Sequence, residues 1–165
     1  MHKNMHLAIL FSMSKKLKYQ IIAVASIIIV AVLGSIFVNI GMDWFNSLIK
    51  PMQWIPNIVI PIVWTIIYIT SAVIIILLIK NNQMTVKSLG LFILNGIFNI
   101  LWCLVFFALH QTFIGLIVII INLILGWLLF DELCQSNKTY AHILIIYPIW
   151  LSIATTLNLC LWILN

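Results

Sequence analysis

Residues 44–68 read WFNSLIKPMQWIPNIVIPIVWTIIY. Proline at 51, 56 and 61 removes a backbone donor each time and turns the preceding residue away from helix. Residues 44–56 are therefore expected to form an irregular, aromatic loop that enters an apolar span at about Asn57. Pro61 falls in the first turn of that span, where a missing N–H costs least. With Trp44, Trp54, Lys50 and Pro51 inside it, the loop over residues 41–56 suits a lid over a cavity within a membrane. Trp64 and Tyr68, four residues apart, share one face of the helix that follows.

Working outward, the 165 residues are 65% hydrophobic and only 7% charged, with a mean hydropathy of +1.25. A soluble domain carries about 25% charged residues, so the composition excludes one. A helix needs roughly 20 apolar residues to cross the hydrocarbon. Five stretches meet that length, at about 19–40, 57–79, 88–109, 112–130 and 140–164. They lack the alternating polarity of a barrel, which predicts an all-α membrane protein, a bundle of five transmembrane helices preceded by a basic N-terminal tail at 1–18.

The net charge of +5 comes from eight lysines, no arginine and three acids. Lys3, Lys15, Lys16 and Lys18 precede the first span, Lys80 and Lys87 separate the second from the third, and Lys138 separates the fourth from the fifth. On the other side stands Lys50 alone. This asymmetry predicts a cytoplasmic N-terminus and gives no reason to expect a nucleic-acid partner. The segment KKLKYQIIAVASIIIVAVLGS at 15–35 has signal-peptide features, but the apolar run continues through Ile40, which favours a retained helix. Met5 and Met13 are alternative starts. His2 and His6 lie in a terminus expected to be frayed, and Cys103, Cys134 and Cys160 are scattered, so neither a metal site nor a disulfide framework is expected.

The third span holds LNGIFNILWCLVFF at 94–107, in which Asn95, Asn99, Trp102 and Phe106 fall on one helical stripe. An unpaired amide in hydrocarbon is costly, so both asparagines should face protein, ligand or water; helix-to-helix glue accounts for them as well as a ligand does. Gly96 allows close helix approach. His110 to Thr112 is a tight link, with His110 read as a solvated turn residue. The fourth span offers Asn122, Gly115 and Gly126, and ends at Asp131 and Glu132, read as an interfacial cap because neighbouring residues point about 100° apart on a helix. In the fifth span Tyr147, Trp150, Ala154 and Asn158 share a stripe. Pro148 is expected to kink it, with Ser152, Thr155 or Thr156 bonding backbone groups that the kink frees.

Trp44 with Lys50, Pro51, Pro56 and Trp64, then Asn99 to Trp102 with Phe106 and Phe107, then Tyr147, Trp150, Ala154, Asn158 and Asn165 together resemble the TspO/MBR family, the tryptophan-rich sensory proteins that include the mitochondrial translocator protein. The likeness runs from about residue 20 onward. It implies five transmembrane helices around a pocket closed by the first loop, binding porphyrins such as protoporphyrin IX and haem, with sterols and benzodiazepine-type drugs in some members. By motif, Trp64, Asn99, Trp150 and Ala154 would line that pocket, and Asn95, Phe45 and Pro56 would border it. Homodimers are common in the family, although no GxxxG stripe supports one here. The sequence departs from the family at Gln53, Ile55, Phe45 and the order Tyr147-Pro148. With no basic residue after Tyr147, sterol binding is not expected.

A porphyrin is a flat π-surface with two propionates, suited by aromatic faces, an apolar slot and a few donors at the mouth. Trp64, Trp102 and Trp150 offer faces, Asn99 a donor and Lys50 a cation. No span places a histidine as an axial ligand, so contact through the macrocycle is expected, with no cofactor required. The expected partners are membrane lipid and a porphyrin-type ligand, in a bacterial plasma membrane. Tyr68 and Tyr147 join the candidate ligand-binding set. No nucleophile with a base is visible, hence no catalytic residue is named. The rival readings are a light- and oxygen-dependent porphyrin-degrading enzyme and a structural membrane protein without a ligand.

Overall fold

The computed structural model describes residues 2–51 and 55–165, with side chains from Lys15 onward. Trp54 and Gln53 therefore lie outside the described residues. Among the described residues there are seven α-helices: α1 (His2–Ile40), α2 (Met42–Ser47), α3 (Val59–Lys80), α4 (Val86–Cys103), α5 (Thr112–Ser136), α6 (Lys138–Leu144) and α7 (Ile146–Leu164). Five segments are long and apolar enough to cross a membrane: Lys15–Ile40, Val59–Lys80, Val86–Ala108, Thr112–Ser136, and Lys138–Leu164, which joins α6 to α7. The protein is an all-α membrane protein built on five transmembrane spans.

Several boundaries differ from the sequence reading, each for a local reason. Residues 2–18, expected as a basic tail, are helical and continuous with α1, with no glycine or proline to interrupt them. Residues 44–47, expected to be irregular, belong to α2; Pro51 lies too far on to break it. The fourth span runs on to Ser136, because Asp131 and Glu132 end an apolar run without ending a helix. Near that end the Glu132 carboxylate is buried, 2.8 Å from Lys87 Nζ, and accepts from Thr85 Oγ1 at 2.8 Å.

The fifth span is interrupted at Ile145. Pro148 sits in the first turn of α7 and leaves the Leu144 carbonyl without its usual helical donor. The hydroxyls expected to compensate do something else. Ser152, Thr155 and Thr156 donate to the carbonyls of Pro148, Leu151 and Ser152 at 2.9, 2.7 and 3.0 Å, each one turn back along their own helix.

The end of α3 is a left-handed stop: Asn82 has φ 55°, with Gln83 N–H donating to Leu78 O and Asn82 N–H to Ile79 O, the paired bonds of a Schellman turn. Thr85 then opens α4 with a capping box, its hydroxyl accepting from Ser88 N–H at 2.9 Å while Ser88 Oγ accepts from Thr85 N–H at 3.0 Å. At its far end α4 widens into a π-turn over Leu104–Ala108, where Leu109 N–H donates to Leu104 O at 3.0 Å. His110, φ 57°, closes the turn.

The core lies where α4, α5, α6 and α7 pack together, with Ile119, Leu129, Leu133, Leu144 and Leu151 sealed from the exterior. Helix α1 is peripheral: 6% of its span is buried, against 44% for α4. It closes against α3 and α4, helped by Gly96, where an added Cβ would stand 3.2 Å from Val30 Cγ2. Large aliphatic side chains such as Ile28, Ile69, Ile97, Ile124 and Ile163 face outward, as lipid contact requires. The lysines sort as the sequence pattern implied. Lys16 Nζ donates to Lys80 O at 3.1 Å, at the same end of the bundle as Lys87 and Lys138, while Lys50 lies at the opposite end beside α2.

Candidate functional site

Three layers build the site, the deepest being polar. Asn95 Nδ2 donates to Leu91 O at 2.8 Å, and the Tyr147 hydroxyl lies 3.0 Å from Asn95 Oδ1 and 3.3 Å from Asn122 Oδ1, tying α4, α5 and α7 together. Asn99 Nδ2 donates to the Tyr68 hydroxyl at 3.1 Å, joining α4 to α3. Trp102 Nε1 donates to Asn158 Oδ1 at 3.0 Å, and Asn158 Nδ2 donates to Thr112 O at 3.0 Å. Interhelical bonds of this kind contribute about 0.6 kcal/mol each in a membrane bundle. Asn95 and Asn99, the two asparagines expected to avoid lipid, are buried, and so are Asn122 and Asn158.

Above this floor stands an aromatic wall. The Trp64 ring lies 5.9 Å from Tyr68 and 6.4 Å from Trp102, and Trp102 stacks on Phe106 at 5.7 Å with an interplanar angle of 19°. Between these rings and α7 is a cavity of about 40 Å³. Its lining includes Phe45, Trp64, Trp102, Trp150 and Ala154, with Asn158 as the one amide. Trp150 is buried, and its indole Nε1 has no hydrogen-bond partner, the sole such buried side-chain atom among the described residues.

Over the cavity lies the segment expected to be its lid, α2 and the residues that follow it as far as Pro51. Phe45 reaches down to Phe107 at 5.3 Å and Phe106 at 6.3 Å, and Trp44 stacks flat on His110 at 4.4 Å. His110 is thus an exposed turn residue, as read, that also carries a lid ring. Lys50 Nζ donates to Phe45 O at 2.8 Å and lies 4.6 Å from the Phe45 ring centroid, a cation at the negative end of a short helix. Asn165 grips the loop on both sides of Ile49, accepting from its N–H at 2.9 Å and donating to its carbonyl at 3.1 Å. Gly41 makes the approach possible, for a Cβ there would fall 2.0 Å from Phe107 O.

A model of the TspO/MBR family matches residues 22–163, which take in every residue of the cavity lining. The chain belongs to the TspO/MBR family. It is similar to Protein CrtK of Rhodobacter capsulatus, at 31% identity over 129 residues covering 74% of this chain and 78% of that protein. It is similar also to Tryptophan-rich protein TspO of Chlorobaculum tepidum, at 26% identity over 158 residues covering 93% of this chain and 99% of that one.

Within this TspO/MBR chain, the candidates named from sequence separate into groups. Trp64, Trp102, Trp150, Ala154 and Phe45 meet at the cavity. Asn99, Asn95, Tyr68 and Tyr147 lie outside its lining, Asn99 bonded to Tyr68 and Asn95 to Tyr147. Pro56 is exposed and apart from it, and Pro51 is half-buried in the lid. Phe106, Phe107 and Asn158 line the cavity but were not among the candidate ligand contacts. Asn158 was findable, one turn beyond Ala154 on the same stripe. The adjacent pair Phe106 and Phe107 was not, because the π-turn that carries both leaves no mark in the sequence.

Proposed function

We propose that this integral membrane protein binds flat, largely apolar aromatic ligands of the porphyrin type, protoporphyrin IX or haem, in the cavity beneath α2, as a sensor, carrier or regulator of tetrapyrrole levels. The unpartnered Trp150 N–H carries the reading. A buried donor left unsatisfied costs about 1–3 kcal/mol, and here it belongs to a ring on the wall of a cavity lined otherwise by indole, phenyl and aliphatic side chains and one amide. A ligand acceptor would remove that penalty while its π-face stacks on Trp64 or Trp102.

The cavity is closed in this structure. At about 40 Å³ it is far below the roughly 300–1,000 Å³ of a ligand pocket, so binding requires α2 to lift and the rings to part. Lys50 then stands at the mouth, its ammonium replacing the Phe45 carbonyl with a ligand carboxylate. None of the residues lining the cavity is a histidine, cysteine or methionine, so the set fits the macrocycle and offers iron no axial ligand. With the lysine-rich end facing the cytoplasm, the lid lies on the outer side of a bacterial plasma membrane.

Titration of the detergent-purified protein with protoporphyrin IX, followed by tryptophan quenching, tests this. Trp150→Phe, which keeps a ring and deletes the N–H, is expected to weaken saturable binding about tenfold with helicity unchanged. Non-saturating quenching that is identical in both proteins would mean partitioning into micelles and would end the proposal.

A further inference from the structure

On the outer face of the bundle, a groove of about 430 Å³ runs between α1 and α3. Leu17, Ile21, Val24, Ala25 and Ile28 form its α1 side and Ile76 its α3 side, with Gln20 at its edge donating to Ile76 O at 3.2 Å. The notch arises because short Val24 and Ala25 separate the long side chains of Ile21 and Ile28. From Leu17 to Ile28 the helix rises roughly 16 Å, about half of a hydrocarbon core of ~30 Å. The groove is therefore as long as one leaflet is deep.

Its charged end is equally defined. Lys16 lies one turn before Gln20, Lys18 one turn before Ile21, and Lys80 one turn past Ile76, so three ammonium groups bracket the same end. Lys16 is half-buried and oriented, with Nζ on Lys80 O at 3.1 Å; two of its three protons remain for another acceptor. Neither α1 from Lys15 onward nor α3 contains an acidic residue.

We propose that this groove is a site for one anionic glycerophospholipid, an acyl chain lying along Val24 and Ala25 and the phosphate held by Lys16, Lys18 and Lys80. The site is independent of the cavity under α2, from which α3 separates it. A lipid held there would fill the face that leaves α1 so poorly packed and would fix the first helix to the bundle.

Native mass spectrometry of the full chain, with palmitoyl-oleoyl phosphatidylglycerol or phosphatidylcholine added in detergent, tests the site. The expected result is one retained phosphatidylglycerol per chain, in preference to phosphatidylcholine. A lysine near an anionic headgroup is worth about fivefold, so Lys16→Gln with Lys18→Gln should lower retention roughly twenty-five-fold. Ala25→Trp fills the notch at an exposed position and leaves every lysine in place; retention should fall about as far, with unchanged helical circular dichroism. Lys138→Gln, at the same end but outside the groove, should change nothing. Equal retention of the two lipids would overturn the proposal. So would full retention in Ala25→Trp, which would reduce the lysines to unlocalised surface charge. Conversion of a dimer to a monomer by Ala25→Trp with lipid retention intact would assign the groove to a second copy of the chain instead.

Discussion

Replacing Asn158 by leucine keeps the side-chain volume nearly constant and deletes both of its hydrogen bonds, from Trp102 Nε1 and to Thr112 O, each 3.0 Å long. Thr112 is the first residue of α5, and its carbonyl also has a place in that helix's own ladder, so little is lost there. The Trp102 indole has no such reserve. It is 9% exposed, and its N–H becomes a buried orphan, at about 1–3 kcal/mol. Interhelical bonds in membrane bundles average only about 0.6 kcal/mol because the separated helices find other partners. The orphan term should win here, since the indole is wedged between Phe106 and Trp64 and cannot turn to find another acceptor. Asn158→Leu is therefore expected to cost about 1.5–2 kcal/mol in reversible denaturant unfolding from mixed micelles. Trp102→Phe loses ring volume as well as the bond. In the double variant the bond is already absent, so the two losses should fall short of additivity by about 1 kcal/mol. Strict additivity would refute the claim that this pair acts as a unit.

Further expectations concern the lid and the opposite end. Gly41→Ala drives a Cβ into the Phe107 carbonyl, which has no rotamer to yield, so α2 must shift; a loss of about 1–3 kcal/mol is expected in the same unfolding assay, with stability at wild-type level as the contrary result. Asn165→Ala removes both bonds to Ile49, and hydrogen exchange at the Ile49 amide should quicken about fivefold, as expected for about 1 kcal/mol of exposed bonding; unchanged exchange would mean that the loop is held elsewhere. Glu132→Ala frees Thr85, the cap of α4, from its carboxylate tether. Exchange over residues 86–89 should rise while the lid is unaffected, and protection equal to wild type would show that the capping box with Ser88 suffices alone.

What could be read from the sequence was whatever depends on polarity along a helix. Five apolar runs, the inward asparagines of α4, and the stripe Tyr147, Trp150, Ala154 and Asn158 follow from hydrocarbon's intolerance of unpaired amides. What could not be read depends on backbone irregularity or on partners distant in sequence. The π-turn that buries both Phe106 and Phe107 adds a residue to one turn of α4 and leaves no compositional mark. Glu132 read as the end of a span because its neutralising partner, Lys87, is 45 residues away. Helix α2 was hidden by the prolines that follow it, the first of which, Pro51, reaches back only to the carbonyl of Ser47, the last residue of the helix.

On the proposed reading, the irregular pieces are also the ones that set how the cavity would open. Phe106 and Phe107 hold the lid through Phe45, Gly41 admits α2 to within a carbonyl of Phe107, and Asn165 fastens the loop to the end of α7. Beneath them the floor of Asn95, Asn99, Tyr68 and Tyr147 is already satisfied within the protein. Opening therefore need not disturb the floor. It must break the ring contacts of α2, the Lys50–Phe45 contact and the two bonds of Asn165, all at one end of the bundle. The polar layer ties α3, α4, α5 and α7 together, and the proposed entry of a flat ligand would part only the aromatic layer above it. The unpartnered Trp150 N–H belongs to the cavity between them, where an arriving acceptor would meet it only after the lid has moved.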